Sequence, residues 1–268
     1  MIADLSAVRS VLFLPASNPR AILKARESAA DLVILDLEDA VRSEDKGDAR
    51  KAAVEAVADE WPMPVAIRIN GVGTEWHSLD VDAAARSKAQ FAVLPRATSA
   101  HLAREVREAV DKPLLAMVET AAGVLAASSI AGEAAALIAG TNDLTADLRL
   151  PQGAGREPMQ VALQTIVLAA RASGIPAFDG VFNNLKDLEG FAAQADEGRR
   201  LGFDGKSLIH PDQIEPCNRA FSPADVEIER ARRLVEAFGG GAERFEDEMI
   251  ERMHVEAAQR VLRRAGQS

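Results

Sequence analysis

The chain has one cysteine, Cys217, in 268 residues. That excludes an intrachain disulfide and any cysteine-based metal cluster, and it suits a reducing compartment. Histidine is nearly as scarce, at four residues, and no Cys and His set has the spacing of a zinc site. No apolar run approaches the ~18–20 residues that cross a bilayer, so no membrane partner is expected. The first ten residues lack the basic start, apolar stretch and small-residue cleavage site of a secretory signal, and a cytoplasmic location is the expectation. Positive charge is in deficit: 31 Lys and Arg against 41 Asp and Glu leave a net charge of −10. Non-specific nucleic-acid binding rests on clustered cations, so no nucleic-acid partner is expected, although local basic groups can hold a small anion. Gly71 and Gly73 lack the spacing and strand-to-helix setting of a dinucleotide fingerprint.

What the chain does have is a rhythm. Short apolar runs alternate with Ala-rich, charge-studded stretches of helical period, the pattern of parallel β/α units. Eight runs read as strands: residues 10–14, 32–37, 65–70, 91–95, 114–119, 136–140, 177–178 and 205–209. Helix candidates between them include 19–29, 46–59, 99–110, 159–173 and 187–201, many ending near Gly or Pro. Eight alternations in about this length predict a (β/α)8 barrel over residues 1–215. The seventh run is short and follows Pro176, which leaves an open doubly wound sheet as the alternative. Residues 216–268 form a tail with two amphipathic helix candidates, 223–238 and 245–265, joined by the glycines at 239–241. Such a tail is a lid, a subunit-contact arm or an outer layer.

In a barrel, chemistry collects where strands end, so polar residues that terminate apolar runs are the candidates. Four clusters qualify: Asp36-Leu37-Glu38-Asp39, Arg68-Ile69-Asn70, Glu119-Thr120 and Gly140-Thr141-Asn142-Asp143. Asp143 and Asp147 have a plainer reading as helix caps. Glu is a weak cap, so Glu119, directly after an apolar run, needs a cation or a donor. Mg2+ takes hard oxygen ligands and is commonly held by one or two carboxylates, with water and substrate completing its shell; Glu119 and Asp143, at the ends of successive strands, fit. Arg68 reads either as a clamp on a substrate carboxylate or as the partner of Glu38 or Asp39 in an internal ion pair. His210 could act as a base but more simply bonds the backbone beside Pro211. His77, His101 and His254 read as surface or loop residues.

Together these residues resemble the citrate lyase beta-subunit-like family of the HpcH/HpaI aldolase superfamily. The resemblance runs through Arg9-Ser10-Val11-Leu12-Phe13-Leu14-Pro15, Asp36-Leu37-Glu38-Asp39-Ala40-Val41 with Lys46 and Arg50, and Arg68-Ile69-Asn70. It continues through Leu94-Pro95-Arg96, Glu119-Thr120-Ala121-Ala122-Gly123, Asp143-Leu144-Thr145, Gly202-Phe203-Asp204-Gly205-Lys206 and Ile209-His210-Pro211-Asp212-Gln213-Ile214.

The resemblance implies a Mg2+-dependent enzyme, with Mn2+ an acceptable substitute, that cleaves or forms a carbon–carbon bond in citryl-CoA, malyl-CoA or citramalyl-CoA. Coenzyme A is then part of the substrate, and the 2-oxo acid partner is oxaloacetate, glyoxylate or pyruvate. Glu119 and Asp143 match the family's metal ligands. Arg68 and Glu119 match its substrate contacts, beside Gly140, Thr141 and Asn142, and Glu38 and Asp39 match a carboxylate pair near the metal's waters. Arg20 and Lys24 are candidate contacts for coenzyme A phosphates. A homo-oligomer, with a trimer favoured, is implied as well. The chain departs from the family pattern twice: Arg96 stands where many members have Lys, and Glu251 stands where an Asp of the tail is the family's acid or base. The alternatives are a class II aldolase acting on free 2-oxo acids, which typically uses a His earlier than His77, and a metal-binding member without turnover.

Overall fold

The structure is a computed structural model that describes residues 4–266. Among the described residues, eight parallel strands follow one another around a closed barrel: β1 (Ser10–Pro15), β2 (Leu32–Asp36), β3 (Val65–Arg68), β4 (Phe91–Leu94), β5 (Leu114–Val118), β6 (Ala136–Ala139), β7 (Ala177–Asp179) and β8 (Gly205–Leu208). Closure is direct, since β1 pairs with β2 through Val11 and Leu32 and also with β8 through Ser10 and Lys206. The open-sheet alternative is thereby excluded. Despite its length, β7 pairs on both sides, Phe178 lying opposite Ile138 of β6 and Gly205 of β8.

Strands buried on both faces read as unbroken apolar runs, which is why the repeat was visible in the sequence. Their inward residues fill the barrel, with Val11, Leu32, Ala66, Phe91, Leu115, Ala136 and Phe178 in one core cluster. Helices return the chain between strands: α1 (Pro19–Arg26), α2 (Lys46–Ala56), α3 (His77–Arg86), α4 (Ala100–Val110), α5 (Ala121–Ala131), α6 (Thr141–Asp147), α7 (Gln160–Ala172) and α8 (Leu188–Leu201). Asn18, Ser99, Thr120 and Asp187 cap α1, α4, α5 and α8 by accepting backbone N–H bonds, as short polar side chains at helix starts do.

Several expected strands are too long. Ile69, Asn70, Glu119 and Gly140 lie beyond the ladder, because the chain turns out of the sheet where its apolar pattern gives way to polar groups. Asp143 is likewise not at a strand end. It sits in the first turn of α6, whose N-cap is Gly140.

Outside the barrel, on its β7–β8 side, lies a buried ion network. Asp179 accepts two bonds from the Arg156 guanidinium, both of 2.8 Å, and one of 2.8 Å from Lys206 Nζ. Lys206 also donates to the Gly180 carbonyl and the Gln194 amide oxygen. Both Asp179 and Lys206 are fully buried. Burial works against the Asp179 charge, but Lys206 and Arg156 outweigh it and hold the carboxyl below its ordinary range.

The chain divides into two compact units, one ending at Ala220 with α9 (Ile214–Phe221) reaching its boundary and one beginning at Phe221. The second unit contains α10 (Asp225–Ala237), a hairpin of β9 (Glu243–Phe245) and β10 (Glu248–Ile250), and α11 (Arg252–Arg264). Its own core joins Ala231 and Leu234 to Ile250, Val255 and Ala258. A single helix over 245–265 is therefore incorrect. Glu246 adopts φ of 54° at the hairpin turn, and the helix starts only after Glu251.

Candidate active site

The C-terminal ends of the strands enclose a cleft of about 350 Å³. Its walls include Phe13, Asp36, Asp39, Arg68, Met117 and Glu119, and its rim the 140–143 segment with Asn183.

Strand register creates the floor. Asp36 and Arg68 are partners in the β2–β3 ladder, so their side chains emerge together, and Arg68 Nε and Nη2 reach the two Asp36 carboxylate oxygens at 2.6 and 2.5 Å. Asp36 also accepts the backbone N–H groups of Glu38 and Ala40, at 2.8 and 3.1 Å. The remaining face of the guanidinium meets Glu38 Oε2 at 2.9 Å and Asp39 at 3.7 Å. Its Cζ lies 5.3 Å from the Phe13 ring centroid, a cation–π contact. The internal ion pair of Arg68 is therefore with Asp36 first, and with Glu38 and Asp39 second. Burial opposes the guanidinium charge, but these three carboxylates raise its pKa.

The loop that carries Glu38 is fastened from below. Lys46 Nζ donates to the carbonyls of Leu37 and Glu38 and to Asn70 Oδ1, each at 2.7 Å. Asn70 is held by buried Asp80, which accepts from its backbone N–H and also takes a 2.6 Å bond from Arg50 Nε. Asp80 went unnoticed in the sequence, where an acid in the first turn of an amphipathic helix looks like an ordinary solvated residue. His77 is not simply a surface residue, since its Nδ1 lies 2.8 Å from the Asn70 carbonyl oxygen.

Glu119 is buried at 2% exposure. Its Oε1 accepts a 2.6 Å bond from the backbone N–H of Arg96, and a Cβ at Gly140 would overlap its carboxylate. Burial pushes the Glu119 carboxyl up to about 7, against the Arg96 N–H bond, with Asp143 adding to the rise. Burial likewise pushes Glu38 up to about 8, the nearby Arg68 opposing it. Asp143 is half-exposed and receives Arg96 Nη1 at 3.1 Å. Asn142 exchanges side-chain amide bonds of 3.3 and 2.7 Å with Asn183. Ser207 lines the cleft from β8 with a buried hydroxyl that has no hydrogen-bond partner among the described residues.

The other candidates are placed differently. Asp147 caps a neighbouring helix rather than facing the cleft, accepting the Ala121 N–H at 2.6 Å. His210 accepts the Asp212 N–H at 3.2 Å, the backbone role expected beside a proline. Arg20 and Lys24 are exposed on α1 and do not line the cleft. Glu251 belongs to the C-terminal unit, where it is exposed and its N–H donates to His254 Nδ1 at 2.9 Å.

The donor set suits a hard divalent cation. No group of three or more His, Cys, Asp or Glu side chains among the described residues is arranged to hold a metal. The carboxylates of Glu119 and Asp143 offer the sparse, oxygen-only ligation that leaves room for water and substrate around Mg2+. A carboxylate as buried as Glu119, answered by one short N–H bond, is also the kind of group that a cation stabilises.

A carboxylate-rimmed, arginine-floored cleft at the C-terminal face of a (β/α)8 barrel defines a barrel protein of the enzyme type. The HpcH/HpaI aldolase/citrate lyase family matches residues 9–211, and the chain belongs to that family. It is 41% identical to a (3S)-malyl-CoA thioesterase of Cereibacter sphaeroides, over 96% of this chain and 94% of that one. It is 33% identical to the citrate lyase subunit beta of Leuconostoc mesenteroides subsp. cremoris, over 96% and 93%. Among solved structures, CitE of Mycobacterium tuberculosis in complex with magnesium, acetoacetate and coenzyme A superposes with a TM-score of 0.86 at 35% identity, covering 98% of this chain and all of that one.

Proposed function

We propose that this protein is a Mg2+-dependent lyase that cleaves or forms the carbon–carbon bond of a short 3-hydroxyacyl-CoA of the malyl, citramalyl or citryl type. The observation that carries the reading is the convergence of Glu119, Asp143 and the buried Arg68 on one cleft. Glu119 and Asp143 would hold the metal, with Glu38 and Asp39 beside its waters. When bound, the ion supplies a Lewis acid and a template for the carboxylate and adjacent oxygen of the substrate acid. Arg68, fixed by Asp36, presents a preorganised positive charge where negative charge develops as the bond breaks. Gly140, Thr141 and Asn142 border the acid, and Asn183 steadies Asn142. Arg20 and Lys24, on the helix that follows β1, take the phosphates of coenzyme A. Glu251 is assigned as the acid or base of the tail.

The likeness to malyl-CoA thioesterases supports a second reading with the same substrate class, in which water cleaves the thioester. Product analysis separates the two. With malyl-CoA and Mg2+, the lyase yields acetyl-CoA and glyoxylate, whereas the thioesterase yields malate and free coenzyme A thiol. Citramalyl-CoA and citryl-CoA, tested alongside, yield pyruvate and oxaloacetate under the lyase reading. Turnover of free 4-hydroxy-2-oxo acids without coenzyme A, or metal binding with no turnover of any of these, would overturn both.

A further inference from the structure

One residue touches both carboxylates assigned to the metal, and it does so by two different routes. The backbone N–H of Arg96 holds Glu119 Oε1 at 2.6 Å, and its side chain holds Asp143 Oδ1 at 3.1 Å. The first contact comes with φ of 49° at Arg96, a left-handed conformation that non-glycine residues rarely adopt. The position is anchored on the far side as well, since Ala97 N–H donates to the Met117 carbonyl at 3.0 Å. The backbone contact is therefore built in, whereas the side chain, 54% exposed, is free to leave.

We propose that Arg96 is a positioning residue whose guanidinium acts as a tethered place-holder for the divalent cation. This rests on the assignment of Glu119 and Asp143 as metal ligands. With no metal bound, the guanidinium neutralises Asp143 and keeps that carboxylate turned to the cleft. A divalent ion that takes Asp143 Oδ1 displaces it, and the freed guanidinium remains at the cleft rim as a positive neighbour of the ion. Both effects lower metal affinity, so Arg96 makes binding weaker and more readily reversible than the carboxylate pair alone would allow. The backbone bond to Glu119 survives the exchange.

Mn2+ titration of the full-length protein, by calorimetry and by the paramagnetic signal of free Mn2+, tests this with Arg96→Gln, Arg96→Lys and Asp143→Asn. Arg96→Gln keeps the backbone and most of the side-chain reach but removes the charge. It is expected to tighten the Mn2+ Kd on the order of fivefold, in keeping with the modest strength of a half-exposed ion pair. Its thermal midpoint should fall without metal, and the upward shift produced by saturating Mn2+ should grow. Arg96→Lys, which restores the charge, should return both readouts toward wild type. An unchanged or weaker Kd in Arg96→Gln, with Asp143→Asn abolishing binding, overturns the place-holder role and leaves the metal site intact. Wild-type binding that Asp143→Asn does not reduce overturns the metal assignment and this inference with it.

Discussion

Asp36 and Arg68 face each other across the β2–β3 ladder, and both carboxylate oxygens are committed to the guanidinium at 2.6 and 2.5 Å. Both residues are buried in the cleft floor, and the Glu38 and Ala40 N–H groups hold Asp36 from behind. The pair therefore gives the cleft floor a charge whose position is set before any substrate arrives.

Substitutions at Arg68 should separate charge from geometry. Arg68→Lys keeps one positive charge but loses the bidentate fork, and kcat/KM is expected to fall about 10²–10³-fold, the typical effect of removing a preorganised stabilising group. Arg68→Ala strands Asp36 in the interior and should cost about 3–5 kcal/mol of unfolding free energy. Steady-state kinetics and denaturant unfolding measure the two, and an Arg68→Ala protein as stable as wild type would contradict the buried pairing.

Gly140 leaves no room for a side chain because the Glu119 carboxylate fills that space. Gly140→Ala should destabilise the fold by about 1–3 kcal/mol as Glu119 is pushed aside, and divalent binding should weaken in parallel. Thermal unfolding combined with a Mn2+ titration checks this; intact metal affinity in the variant would show that Glu119 is not a ligand.

The pH dependence follows from Glu119 and Glu38. Both hold a proton more tightly when folded, at about 7 and about 8 against an ordinary 4.5. Their contribution to stability in the metal-free protein is fully present below about 4.5 and is lost as pH rises through 7 to 8. Glu119→Gln should match wild type in metal-free stability near pH 5 and exceed it near pH 8.5, as read from denaturant midpoints at each of these approximate pH values. Because a proton competes for the same carboxylate, the apparent Mg2+ affinity of the wild type should climb across the same window.

Ser207 presents a buried hydroxyl to the cleft with no hydrogen-bond partner among the described residues. Unsatisfied polar groups of this kind bond a ligand or water. Ser207→Ala is expected to raise KM about 3–10-fold with kcat nearly unchanged, the effect of one neutral hydrogen bond. A KM equal to wild type would assign that hydroxyl to water.

The Asp179–Lys206–Arg156 network makes a contrasting claim, because it faces away from the cleft. Asp179→Ala should cost about 3–5 kcal/mol by leaving buried Lys206 and its neighbour Arg156 without their shared anion. Activity per folded molecule should persist at low temperature, and a variant that folds normally yet is inactive would place the network in the chemistry.

Much of this was legible in the residues themselves. Alternating apolar and Ala-rich stretches specify β/α units through local periodicity, and a polar residue at the end of an apolar run falls at the rim of the barrel wherever the neighbouring strands lie. Arg68, Glu119 and the 140–143 segment were visible for that reason. The count of eight alternations also pointed to a closed barrel, but the contact that closes it, Ser10 beside Lys206 almost the full length of the barrel away in sequence, is set only by the fold. Asp36 as the partner of Arg68, Asp80 beneath Asn70 and Arg96 between two carboxylates were also decided only in three dimensions. Strand register, a left-handed backbone at one residue and side-chain reach across loops produce those contacts. The hairpin between α10 and α11 belongs with them: the pattern from 245 onward reads as part of one amphipathic helix, and packing of Ile250 against Leu234 and Val255 favours the turn. Local pattern determined which elements form and which residues stand at their ends, and long-range packing decided which of those residues meet.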